Sequence, residues 1–184
     1  MKKICAVMAQ GFEEMELVIT VDVLRRAGLE VITASVETGA TKVIGSRGIP
    51  MVPDTDIDKV DFKSIDLLFL PGGLEGTKRL AENERVLSIV REFHKCGKII
   101  AAICAAPTVL LKAGIAAGKR MTSHPIAEEH MKGVSYETDR IVVDGNIVTS
   151  RAAGTTFDLA FKLVEILIGH EKVKEVNKNV LAII

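Results

Sequence analysis

The sequence predicts a single α/β domain over residues 1–184, built on a mostly parallel sheet with helices on both faces. Two observations carry that expectation. Short apolar runs alternate with amphipathic segments, and Gly and Pro punctuate the boundaries at spacings suited to βα units. The chain has 184 residues, of which 48% are hydrophobic, enough for one substantial core and cramped for two.

The runs Ile4 to Ala9, Glu30 to Ser35, Ile65 to Leu70 and Ile99 to Ile103 read as strands of the parallel sheet. Helices are predicted from Glu14 to Ala27, stopped by Gly28, and from Glu84 to Cys96, capped by Asn83 and stopped by Gly97. A third spans Thr155 to Ile168, with Phe157, Ala160, Phe161, Val164 and Ile168 on one stripe. Two segments depart from the pattern. Gly45, Gly48, Pro50 and Pro53 make Lys42 to Pro53 a short extended excursion. Arg140 to Val143 and Asn146 to Thr149 read as a small β-hairpin turning at Asp144-Gly145. The tail from Glu171 to Ile184 forms a last helix, whose Val173, Val176, Val180 and Leu181 require a surface to dock on.

Composition excludes several classes of function. Lys and Arg total 24, as do Asp and Glu, with no run of like charge, so no electrostatic footprint for nucleic acid or an anionic membrane exists. The apolar stretch after Met1-Lys2-Lys3 is too short for a signal peptide or a membrane span, which sets a cytoplasmic location as the expectation. Three scattered cysteines without a CxxC pair argue against a disulfide framework and a structural zinc site. No set of His, Cys and acids has metal-ligand spacing.

Cys104 stands where the run Ile99 to Ile103 gives way to Ala105, Ala106, Pro107 and helix-like Thr108 to Leu111. A thiol at such a junction faces the positive end of a helix and its unpartnered N–H groups, which favours the thiolate. Small neighbours permit the tight turn of a nucleophile elbow. The competing reading is a cysteine that only packs. Packing is the preferred role for Cys5, inside a strand, and for Cys96, near a helix end.

Loops that follow parallel strands gather at one sheet edge, where open α/β sheets bind ligands. Here they hold Gly11, Glu13, Glu14 and Glu16 after the first strand, Pro71, Gly72 and Gly73 after the third, and Cys104 after the fourth; His124 and Arg151 lie downstream. Helical phase separates the acids. Glu16 shares a stripe with Ile19, Thr20 and Val23, whereas Glu14 aligns with Val18 and Asp22. Glu16 is therefore the carboxyl expected to be desolvated, with a raised pKa that lets it donate to a thiolate. Glu13 and Glu14 read as acids that merely suit a helix N-terminus. The glycine turn fits an oxyanion site, since bare backbone approaches a ligand closely, and fits a plain turn equally well.

Taken together, these segments resemble the DJ-1 branch of the ThiJ/PfpI superfamily over essentially the whole chain. Gly-Phe-Glu-Glu-Met-Glu, from Gly11 to Glu16, looks like that family's first acidic loop, and Leu70 to Gly73 like its glycine turn. Ala101 to Pro107 looks like its cysteine elbow, and Thr149 to Thr155 like its late arginine loop. The resemblance implies a flavodoxin-like three-layer sandwich, usually a homodimer, with Cys104 as nucleophile and Glu16 as its hydrogen-bonded partner. It implies an anion or oxyanion site at the N–H groups of Gly73 and Ala105, beside Gly72. Arg47 and Arg151 resemble residues at the mouth of that site; a surface ion pair is the plainer role for either. His124 matches the family's histidine in a Ser-His-Pro loop. In the protease-like branch a histidine directly follows the cysteine, and Ala105 stands there instead, which weakens a peptidase reading.

Two functions follow from the resemblance. One is an enzyme acting on small reactive carbonyls, converting methylglyoxal to lactate or repairing early glycation adducts, with no glutathione, metal or nucleotide cofactor. The other is a redox-sensing, chaperone-like stress protein that uses the same oxidisable cysteine. The partners expected are a small aldehyde or glycated adduct and a second copy of the chain, the latter also from Ile19 and Val23 read as a spare apolar stripe.

Overall fold

A strand that is apolar at successive positions needs cover on both faces, and the first strand of this protein has it. The computed structural model describes residues 1–182. In β1 (Lys3–Met8), Ile4 to Met8 are all fully buried. Ile4, Ala6 and Met8 enter one core, while Cys5 and Val7 enter the other, the alternation that a pleated strand dictates.

The remaining strands are β2 (Glu30–Ser35), β3 (Val43–Ile44), β4 (Pro50–Met51), β5 (Thr55–Asp56), β6 (Leu67–Leu70), β7 (Ile99–Ile103), β8 (Arg120–Met121), β9 (Ser135–Tyr136), β10 (Ile141–Asp144) and β11 (Ile147–Ser150). Among the described residues the main sheet has seven strands, ordered β10-β11-β7-β6-β1-β2-β5. All its pairings are parallel except β10 with β11. The helices are α1 (Glu14–Arg26), α2 (Leu74–Glu82), α3 (Glu84–Lys95), α4 (Pro107–Lys112), α5 (Thr156–Leu167) and α6 (His170–Val180). Leu17 and Leu24 of α1, Leu159 and Leu163 of α5 and Val173 of α6 fill one face of the sheet. Leu80 of α2, Val90 and Phe93 of α3 and Leu110 of α4 fill the other. The result is the three-layer, flavodoxin-like α/β sandwich.

From β1 the chain winds through α1 to β2 on one side, then returns across to β6 and β7 on the other. Such a reversal opens a crevice at the carboxyl edge. The loops after β1, β6 and β7 meet there.

Several boundaries differ from the sequence expectations, each for a local reason. The third strand starts at Leu67, because Ile65 closes a turn whose N–H donates to Phe62 O at 3.3 Å. Helix α2 was not anticipated, since Gly76 lowers helix propensity; burial of Leu80 and Thr77 overrides it. In the hairpin Asp144 pairs with Ile147. The turn is therefore Gly145-Asn146, one residue later than expected, with Gly145 at φ 61° as a tight turn demands. Asn83 caps α3 as predicted, accepting from Val86 N at 3.1 Å. The excursion between Lys42 and Pro53 is the antiparallel pair β3 and β4, off the main sheet. In α6, Val173 and Val176 are buried, but Leu181 turns left-handed after the helix end and stays 79% exposed. Residues 183–184 lie outside the described residues.

Two packing expectations fail. Cys96 is exposed, because it closes the last turn of α3, its N–H donating to Glu92 O. Val23 is only 1% exposed and belongs to the core, so it supplies no spare apolar stripe; that stripe is shifted along α1 to Met15 and Val18, 54% and 45% exposed.

Candidate active site

The site is built on a backbone that an L-residue rarely adopts. Cys104 has φ 65°, one of two non-glycine residues at positive φ among the described residues, a conformation that costs about 1–2 kcal/mol. It is held from both sides. Cys104 N donates to Ser150 O at 3.0 Å, at the end of β11, and Cys104 O accepts from His124 N at 2.8 Å. Ala105 O accepts from the Thr108 hydroxyl at 2.7 Å. The elbow is thereby clamped between the hairpin, the Ser123-His124-Pro125 loop and the first turn of α4.

Glu16 lies opposite, fully buried. Its Oε2 accepts from Gly72 N at 2.7 Å, and its Oε1 has no hydrogen-bond partner by geometry among the described residues. Burial raises the Glu16 pKa to about 7 against the opposing bond from Gly72 N, with the charge of Glu13 adding to the rise and the adjacent Cys104 thiol opposing it. For Cys104, burial comes first and the negative Glu16 second, and together they push the thiol up to about 12. The N–H groups of Gly73 and Ala105 lie beside the sulfur and pull the other way, without prevailing.

That outcome corrects the expectation of a readily formed thiolate. Helix α4 has six residues, and its N-cap is Ala106, so Cys104 lies outside the cap of a short helix whose field falls off within a turn. Desolvation wins. Once Glu16 has ionised, the remaining proton of the pair therefore rests on sulfur, because burial and the Glu16 charge both disfavour the thiolate. Transfer of that proton to Glu16 makes the thiolate with no change in net charge.

The glycine turn divides its work. Gly72 is not an anion donor, as the sequence suggested, because its N–H is occupied by Glu16. A Cβ on Gly72 would stand 2.6 Å from both Cys104 Cβ and Glu16 Oε2. Gly73 has φ 89°, and a Cβ there would meet Gly11 O at 2.3 Å. Only glycines let these two loops close so tightly.

Glu14 is also buried, contrary to its reading as a simple helix-start acid. Its Oε1 accepts from Arg47 N at 2.6 Å and Ile49 N at 3.3 Å, and Oε2 from the Ser46 hydroxyl at 3.1 Å. Burial alone would raise its pKa, but these bonds carry it below the ordinary carboxylate value. An ionised Glu14 thus pins the loop that bears Arg47. The side chain of Glu13 caps α1 by accepting from Glu16 N at 2.8 Å. No signal in the sequence marks Glu14, because the loop that covers it comes from residues 46–49.

A hollow of about 460 Å³ opens over Cys104, with Glu13, Arg47, Gly73, Leu74, His124 and Ile126 in its walls. His124 Nδ1 accepts from Ile126 N at 3.1 Å, which places the proton of the neutral ring on Nε2. Arg151 does not line this hollow; it is part-buried, and its Nη1 has no hydrogen-bond partner among the described residues. The structure therefore gathers Cys104, Glu16, Gly73, Ala105, Arg47 and His124 and leaves Arg151 apart. Among the described residues no group of three or more His, Cys, Asp or Glu side chains is placed to hold a metal ion, and no helix is long and apolar enough to cross a membrane.

A strained cysteine at the switch point of an α/β sandwich, facing a buried carboxyl and two backbone donors, defines a cysteine-elbow protein. The family model described as DJ-1/PfpI matches residues 2–166. The chain is 44% identical to the Drosophila melanogaster protein dj-1beta over 182 residues, 98% of this chain and 97% of that one. The crystal structure of Drosophila DJ-1beta superposes with a TM-score of 0.95 at 43% identity, covering 100% of this chain and 99% of that one. The glutathione-independent glyoxalase DJR-1.2 of Caenorhabditis elegans is 39% identical over 168 residues, 90% of this chain and 88% of that one. Oxidised Toxoplasma gondii DJ-1 superposes with a TM-score of 0.94 at 32% identity, covering 100% of both chains. The chain belongs to the DJ-1/PfpI family.

The raised Glu16 pKa has a consequence for stability. The folded protein binds this proton up to about pH 7, whereas the unfolded chain releases it near 4.3. The stabilisation is complete below the unfolded value and is lost as pH rises towards 7, on the order of 3 kcal/mol in all. Urea unfolding at pH 5 and pH 8 should show this decline in the native protein. It should be largely absent in Glu16→Gln.

Proposed function

We propose that the chain is a cysteine-dependent enzyme acting on 2-oxoaldehydes or their early adducts on amines and thiols, in defence against reactive carbonyls. The observation that carries the reading is the juxtaposition of Cys104, on its strained elbow, with the buried Glu16 carboxyl across the glycine turn. Similarity to the Caenorhabditis elegans glyoxalase supports it.

The reaction begins when Glu16 accepts the thiol proton and the thiolate adds to the aldehyde carbon of methylglyoxal, giving a hemithioacetal. Donors beside the sulfur, the N–H groups of Gly73 and Ala105, stabilise the oxyanion that forms. A carboxyl near pKa 7 exchanges protons in either direction at neutral pH. Glu16 returns the thiol proton to that oxyanion and, again ionised, removes the proton from the former aldehyde carbon; it then delivers this proton to the neighbouring carbon of the enediol-like species. The product is a lactate thioester on Cys104. Water cleaves the S–C bond, releasing lactate and restoring the thiol. The overall change is methylglyoxal plus water to lactate, so no external oxidant or reductant enters. His124, with its proton on Nε2, and Arg47, on a loop held by Glu14, supply polar groups at the rim.

A second reading uses the same thiol as an oxidation sensor, and its support is the half-buried sulfur beside a carboxyl that donates when protonated. Peroxide would transfer one oxygen to Cys104, giving sulfenic acid and water; further oxidation gives a sulfinate that Glu16 can hydrogen-bond. The structural likeness to oxidised Toxoplasma gondii DJ-1 favours it. A cytoplasmic setting suits both readings, because all three cysteines are free. A second copy of the chain is the partner that fits Met15, Val18 and Ile49, exposed apolar side chains on α1 and the adjoining loop.

Purified protein should convert methylglyoxal to lactate without added thiol. Cys104→Ser and Glu16→Gln should each lower kcat/KM at least a hundredfold, with unchanged circular dichroism; full activity in Cys104→Ser refutes the enzyme. Under mild peroxide, peptide mapping should find oxygen on Cys104 before Cys5 or Cys96, and indiscriminate labelling would remove the sensor. Sedimentation should give twice the 19.9 kDa chain mass, and Val18→Asp should halve it; a native monomer would refute the dimer.

A further inference from the structure

Two apolar side chains stand exposed at the mouth of the Cys104 hollow. Leu74, the first residue of α2, is 63% exposed, and Ile126, two residues after His124, is 57% exposed. Both also line a second hollow of about 330 Å³, where Ala81 of α2, Ala105 and Ala127 stand beside polar walls that include Lys78, Glu129 and His130. Ala105 is the residue whose N–H faces the sulfur. The two hollows thus adjoin at Leu74 and Ile126 and together form a groove beside the nucleophile, with short alanine side chains in the wall of the second.

We infer that this groove is a subsite for an apolar substituent of the electrophile: the preferred substrate is a 2-oxoaldehyde whose second carbonyl bears an alkyl or aryl group larger than methyl. The inference deepens the carbonyl reading above and rests on it. The reacting carbon sits over Cys104, and the substituent lies between Leu74 and Ile126. The methyl group of methylglyoxal is too small to reach both walls, whereas a hollow of about 460 Å³ is in the range that encloses much larger ligands. Leu74 and Ile126 are, in this arrangement, the residues that set specificity. Each methylene buried in an apolar pocket is worth roughly tenfold or more in kcat/KM.

The test separates recognition from turnover by alkylation, in which an S–C bond forms and iodide leaves. Rate constants for iodoacetamide and N-benzyl iodoacetamide are measured at Cys104 by peptide mapping, in a Cys96→Ser background, and referred to the same ratio for glutathione. The native groove should favour the benzyl reagent about tenfold over that reference, and Leu74→Asn/Ile126→Ser should bring the preference to within about twofold of it. No preference in the native protein overturns the inference, as does a preference that persists in the folded double variant. Should that variant not fold, Leu74→Asn alone is read by the same criterion, since its side chain is exposed. A parallel comparison of phenylglyoxal with methylglyoxal should give the higher kcat/KM to phenylglyoxal. Alkylation preference without turnover of either aldehyde would refute the carbonyl reading and keep the groove; turnover without preference would do the reverse.

Discussion

The carboxyl of Glu16 is fully buried with one backbone bond to it, and that constraint orders everything around the site. A carboxylate taken out of water costs several kcal/mol unless its oxygens are bonded or it keeps a proton. Gly72 N meets one oxygen, the other has no hydrogen-bond partner among the described residues, and the Cys104 thiol lies beside the group. Satisfying one group thereby draws together the loops after β1, β6 and β7. Because β6 lies between β1 and β7 in the sheet, the three loops already emerge side by side. The hydrogen bond needs only a short reach, provided no Cβ stands in the way at position 72.

The same burial decides the chemistry. An exposed cysteine at this turn would titrate as an ordinary thiol. Here desolvation and the neighbouring charge hold the proton, while two N–H groups wait to receive the anion. Such a site suppresses a standing thiolate and still allows one to appear by proton transfer within the pair. The strained backbone serves this purpose by directing the thiol towards Glu16 and the glycine turn. Its two clamps come from Ser150 and His124, so the late hairpin and the Ser-His-Pro loop contribute through the main chain as well as through any side chain.

Much of this was legible in the sequence because it depends on local rules. The alternation of apolar runs and amphipathic segments marks β1, β2, β6 and β7 and helices α1, α3, α5 and α6, since the periods of strand and helix differ. Phase within α1 distinguishes Glu16 from its neighbours. Small residues around Cys104 announce a tight turn. Helix α2 was hidden because Gly76 obscures its propensity and only packing of Leu80 reveals it. Glu14 was misjudged because phase on its own helix said nothing of the loop at 46–49 that covers it. The thiolate expectation failed for a related reason: helix dipoles can be anticipated from sequence, whereas desolvation cannot.

What the sequence by itself determined was the α/β class, four parallel strands of its sheet and the candidacy of Cys104, Glu16 and the glycine turn, each set by periodicity, phase or backbone permissiveness. Only the tertiary structure decided which groups share a proton, which N–H is occupied and which arginine reaches the site. It left Arg151 outside the hollow and assigned Gly72 to Glu16. The reason is physical. Secondary structure follows from neighbours along the chain, but burial, charge and hydrogen-bond partnership at the site arise from residues as far apart as 16, 72 and 104, and exist only once the sheet has brought them together.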